Sequence, residues 1–128
     1  MNEMEILEIV KDPDRLNFLA DQFRQGRDIG DLVILLNSDS DAVVAAAAWI
    51  AGEIDNDLPN AQLLVPCLQQ LVKHNNPSIR FHAIGALYPF LNKADPAVKE
   101  MFIQLGSDPD EAVRSIAHAA LRRSQSQK

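Results

Sequence analysis

Residues 38–54 read SDSDAVVAAAAWIAGEI, and the way this run folds decides the rest of the chain. Ser38 followed three residues later by Asp41 is an N-terminal capping signature: a hydroxyl for the first free amides and an acid in the positive first turn. Val43, Ala46, Ala47, Ile50 and Ile54 then recur at helical spacing and give one apolar face. The four alanines from Ala45 to Ala48 leave that helix almost no width. A helix so thin lets its neighbours come close, which suits a layer in a stack better than an isolated amphipathic helix.

Two further segments repeat it. Val43, Ile79 and Val113 each open an aliphatic helical block, at offsets of 36 and 34 residues. Four residues on, all three carry alanine (Ala47, Ala83, Ala117). The pairs Ile50-Ala51, Ala86-Leu87 and Ala120-Leu121 follow at seven and eight residues. Periods of this size signal helical repeats. Asn76-Pro77 and Asp108-Pro109 place proline where a helix begins and its missing N–H costs nothing. Other apolar helical patterns lie between the blocks, so the unit is a helix pair.

Working outward, Met4, Ile6, Leu7 and Val10 predict a short first helix. A second runs from Asp12-Pro13 through Leu16, Leu19, Ala20 and Phe23 to a stop at Gly26. Both stand outside the repeat register, as expected of a cap over the end of a stack. Asp28 and Asp31 open a helix over Ile29 to Leu36. Leu58-Pro59-Asn60 leads into a long helix bearing Leu64, Val65, Leu68, Leu71 and Val72, with a kink expected at Pro66. Asp95-Pro96 starts the next, which ends at Gly106, and Ser124 to Lys128 should fray. The expected division is one domain over 1–128: cap 1–26, repeats at 27–57, 58–92 and 93–124, and a tail at 125–128. The fold class is all-α, a right-handed α-α superhelix of about three helix pairs with an N-terminal helical cap.

Composition narrows the function. The chain of 128 residues carries a net charge of −6 and one cysteine, so no intrachain disulfide is possible. No apolar run approaches the roughly 18 residues of a membrane span. The N-terminus has acids where a signal peptide needs bases, and a cytoplasmic chain is expected. Residues 1–60 hold thirteen acids against four bases, and residues 61–128 five acids against eight bases. A field of −9 on one half repels nucleic acid and attracts basic proteins. Solubility alone is the plainer account of the same charge.

The blocks DPDEAVRSIAHAAL (108–121) and NPSIRFHAIGAL (76–87) resemble the second helix of a HEAT repeat, and AAWIAGEI (47–54) is similar to an armadillo helix. The resemblance covers about residues 27–124 and speaks to fold far more than to function. It implies a superhelix whose second helices line a concave surface. It also implies that Arg80 and Arg114 pair with an aspartate of the preceding turn. Val44 stands at the matching place in repeat one, so that polar ladder should begin at repeat two.

In register, the concave positions are 45, 49 and 53, then 81, 85 and 89, then 115, 119 and 123, flanked by 48 and 52, 84 and 88, 118 and 122. They carry Trp49 and Glu53 one turn apart, an apolar stripe of Phe81, Ile84 and Tyr88, and His118, Arg122 and Arg123. The armadillo resemblance implies a peptide-clamping asparagine where Glu53 stands, so a cationic contact is favoured there. Glu53, Asp55 and Asp57 crowd the negative end of their helix, an arrangement without local benefit that suits a partner bearing Lys or Arg. A solvated turn also explains Asp55-Asn56-Asp57, and the aromatic stripe also reads as gap-filling core.

Catalysis has little foothold. His74, His82 and His118 lie in different repeats, and Cys67 sits beside Pro66. No HxxxH, CxxC or HExxH spacing and no glycine-rich phosphate loop occurs. Gly52 and Gly85 fall inside helices, where they are expected to permit close approach. The resulting expectation is a non-enzymatic module, without metal or cofactor, that captures a basic protein on its acidic concave face. Its site residues would be Trp49, Glu53, Asp55, Asp57, Phe81, His82, Tyr88, His118 and Arg122. A bacterial immunity protein neutralising a toxin is one such inhibitor. A HEAT-type lyase-like or enzyme-associated protein is the alternative, as is a structural subunit of a larger assembly. Neither nucleic acid nor membrane is an expected partner, and a monomer is expected.

Overall fold

The computed structural model describes residues 3–91 and 96–126. These form eight α-helices and no strand: α1 Glu3–Lys11, α2 Pro13–Arg24, α3 Ile29–Leu36, α4 Asp41–Glu53, α5 Leu64–Leu71, α6 Pro77–Leu87, α7 Pro96–Leu105 and α8 Glu111–Ser126. Asp95, expected to lead into α7, and the tail residues 127–128 lie outside the described residues.

α3 packs on α4, α5 on α6 and α7 on α8, while α4 meets α6 and α6 meets α8. The second helices therefore run side by side as successive layers, with α1 and α2 packed against α4. The sequence register holds in space. Val43, Ile79 and Val113 are all buried, as are Ala47, Ala83 and Ala117. Ala48 and Ala51 of α4 are buried too, so the thin helix contacts layers on two sides. Phe23, Phe102 and Leu32 are the bulkiest fully buried side chains. They lie on α2, α7 and α3 and supply the volume that the alanine-rich second helices lack.

The turns entering the three second helices share one construction. Ser38 Oγ, His74 Nδ1 and Asp108 Oδ1 each accept from the amide two residues on, at 3.1, 3.0 and 2.9 Å. Ser40, Asn76 and Asp110 then accept from amides of the first turn. The cap of α4 is thus Ser40, two residues later than the sequence suggests. Ser38 belongs to the turn before it, because three hydroxyl or carboxyl groups compete for the same few free amides.

Pro66 makes no mid-helix kink. A 3₁₀ turn at Ala61–Leu63 precedes α5, reached through Asn60 at φ 65°. Pro66 is the third residue of α5, in the first turn, where an amide has little to bond. Ser124 does not fray either: α8 continues to Ser126 and Ser124 is buried.

The inter-repeat ladder has a different partner from the one expected. Arg80 Nε and NH2 reach Asp108 Oδ2 and Oδ1 at 3.0 and 2.9 Å, in the turn between α7 and α8 of the following repeat. Its NH1 donates to the carbonyls of His74 and Asn75 in the preceding turn. One guanidinium thus fastens two turns, a bidentate fork that lysine could not supply. At the junction of repeats one and two, where Val44 replaces arginine, His74 Nε2 approaches Asp41 at 3.6 Å instead.

Candidate functional site: a groove across the second helices

Trp49 and Glu53 stand one turn apart on α4, and Phe81 and His82 begin the neighbouring surface of α6. Between them lies a cavity of about 190 Å³, lined by Ala48, Trp49, Gly52, Glu53, Phe81, His82, Gly85, Ala86 and Ile116. Small residues from both helices line it beside the three aromatic rings. A second cavity of about 210 Å³ adjoins it, sharing Gly85 and Ile116 and adding Tyr88, Ala119, Ala120 and Arg123. Together they cross all three second helices.

The groove owes its room to side chains that are missing rather than to helices that part. A Cβ on Gly52 would lie 3.8 Å from Ala86, and one on Gly85 would lie 3.8 Å from Ile116 Cδ1, which is ordinary contact. Neither glycine is therefore needed for helices to approach, contrary to the expectation. Each leaves a gap where any other residue would partly fill the groove.

The lining is aromatic and nearly uncharged at its centre. Phe81 and His82 make an edge-to-face contact, with centroids 5.6 Å apart at 80°. Burial pushes the His82 pKa below its usual 6.5, so its ring is neutral at neutral pH. The carboxylate of Glu53 marks one end, 3.7 Å from Arg24 NH2 of the cap. Arg123 marks the other. The two ends carry opposite charge.

A larger cavity, about 570 Å³, lies at the cap among Ile9, Asp14, Arg15, Phe18, Leu19, Gln22 and Arg27. It stands outside the repeat register. Arg27, its most buried cation, is already bound to Asp31 and Gln22 and lies over the Phe23 ring. The groove, whose lining follows the repeat, is the stronger candidate.

Residues 29–122 match the family model of HEAT repeats. The chain belongs to the HEAT-repeat family. Searches of curated proteins and of solved structures give no match. Membership of the HEAT-repeat family places the chain among helical modules that mediate contacts between proteins. No described helix is long and apolar enough to cross a membrane, and no group of three or more His, Cys, Asp or Glu among the described residues is placed to hold a metal.

Within this HEAT-repeat stack, the structure brings Trp49, Glu53, Phe81 and His82 to one cavity and Tyr88 to the next. Ile84, read as part of the stripe, is fully buried in the core instead. His118 turns from the groove to the end of α7, where its Nε2 lies 3.0 Å from the Gly106 carbonyl. Arg123 rather than Arg122 lines the second cavity. Asp55 and Asp57 form the turn beyond α4, with the Asp57 amide bonded to Asp55 Oδ1 at 2.9 Å, as the turn reading has it. Ile116, a wall of both cavities, went unselected. It is the counterpart of His82 at the 34-residue offset, and that equivalence is the signal that would have found it.

Proposed function

We propose that the groove across α4, α6 and α8 binds a segment of another protein that inserts apolar side chains between Trp49, Phe81 and Tyr88. A Lys or Arg of that segment sits at the Glu53 end. The observation that carries this reading is the continuous, register-following groove with aromatic walls, small residues between them and opposite charges at its ends. Aromatic anchors around a recess are what concentrate binding energy at protein interfaces. The acidic first half speeds encounter with a basic partner. Arg24, already beside Glu53, is displaced or joined by the incoming cation.

Binding in this way acts by covering the partner's surface, without chemistry. Inhibition of a basic protein, such as a toxin held in check by an immunity protein, is a task of that kind. The neighbouring end faces equally serve attachment to a larger assembly, but the aromatic recess favours peptide capture.

Peptide display against the folded protein tests the reading. Gly85→Leu serves as a counter-target, since Gly85 lines both cavities and a Cβ there makes only ordinary contact. Enriched peptides should combine Lys or Arg with an aromatic or large aliphatic residue, and bind at least about tenfold more weakly to Gly85→Leu, Trp49→Ala and Glu53→Gln. Peptides that bind all three variants as tightly as the wild type would refute the assignment.

A further inference from the structure

The ladder that joins repeats two and three ends with a half-made rung. Arg114 copies Arg80 in detail: its NH1 donates to the carbonyls of Asp108 and Pro109 at 2.8 and 2.9 Å. Arg80 NH1 does the same to His74 and Asn75. The Nε–NH2 edge of Arg80 then grips Asp108. Among the described residues Arg114 makes no ion pair. Leu121, at the position of the buried Ala51 and Leu87, is only partly buried.

The missing half of the rung occurs at the other end of the chain. Arg80 holds an Asp-Pro-Asp turn, residues 108–110. The same three residues recur at 12–14. Asp12 Oδ1 accepts from the Asp14 amide at 3.0 Å, as Asp108 Oδ1 does from Asp110 at 2.9 Å. Asp12 is exposed and, among the described residues, has no cation. α2 begins directly at Pro13, whereas α8 begins one residue beyond its turn, so the match lies in the carboxylate and its turn. The overall charge is arranged to the same end, with −9 on residues 1–60 and +3 on residues 61–128.

We infer that a second copy of this chain docks head to tail, its Asp12-Pro13-Asp14 turn received by Arg114 as Asp108 is received by Arg80. This contact stands apart from the groove and takes the place of the monomer expected from sequence. Because its two surfaces differ, it leaves both ends open for further copies.

Sedimentation velocity on the full chain at low salt, across a concentration series, reads it directly. The wild type should form dimers and longer species that dissociate as salt screens the pair. Arg114→Gln and Asp12→Asn should each raise the dissociation constant at least about tenfold. Asn keeps the cap at residue 12, so that variant stays folded even if Arg114→Gln loosens α8. Mixed in equal amounts, the two variants retain one intact contact and should form a dimer that grows no further. A wild type that stays monomeric throughout the series, or assembly that survives either substitution, overturns the inference.

Discussion

Glycine serves opposite purposes at different places in this chain, and substitutions separate them. Gly26, at φ +105°, ends α2 in a conformation that L side chains rarely adopt. Gly26→Ala should cost about 1 kcal/mol in chemical denaturation although nothing lies within 4 Å to clash. Gly85 has helical backbone, and a Cβ there would meet only ordinary contact with Ile116 Cδ1, so Gly85→Ala should gain about 0.5–1 kcal/mol. If binding falls while stability rises, the glycine is kept for the groove. His82 contributes a pH dependence of definite sign. Burial lowers its pKa below 6.5, so the folded state prefers the neutral ring. Its contribution is complete above pH 6.5 and lost as pH falls from there through the folded pKa. Thermal melts of His82→Gln should show less destabilisation than the wild type as pH falls below 6.5.

Among the elements, the Arg80 fork does most to fix how one layer sits on the next. Both side chains are largely withdrawn from water, at 14% and 8% exposure. Arg80→Ala leaves a carboxylate with little solvent and should destabilise by about 3 kcal/mol. Burial alone would raise the Asp108 pKa. The Arg80 hydrogen bonds, the Asp110 amide and the charges of Arg80 and Arg114 outweigh it, and the carboxyl is held below 3.8. The corresponding stability is present above pH 3.8 and disappears as pH falls through the folded value, a loss that Asp108→Asn should remove from an acid titration. Pro66→Ala, by contrast, should change stability by no more than about 0.5 kcal/mol, because the proline sits in a first turn. Helices and their register were legible because the apolar spacing of Val43, Ile79 and Val113 survives any detail of capping. The cap of α4 and the start of α5 were not, since each depends on which of several polar groups wins a single amide. The direction of the Arg80 pair was hidden for another reason. A side chain of that length reaches both adjacent turns, and sequence order does not say which carries the better carboxylate geometry.

At the scale of the molecule, the groove was half legible. The repeat register placed Trp49, Glu53, Phe81 and Tyr88 along one surface, and the cavities collect them together with His82. It misassigned Ile84 and His118 because a residue at the edge of a helical face turns to the core or to solvent on a small rotation. What the register alone could not show is that the alanines and glycines of α4 and α6 become room for another molecule rather than closer packing. This room is proposed to receive a partner. The direct measurement is an amide chemical-shift titration of the ¹⁵N-labelled protein with the tightest displayed peptide. Shifts concentrated on Ala48, Gly52, Gly85, Ala86 and Ala119 are predicted, whereas shifts confined to α1, α3 and α7 would contradict it.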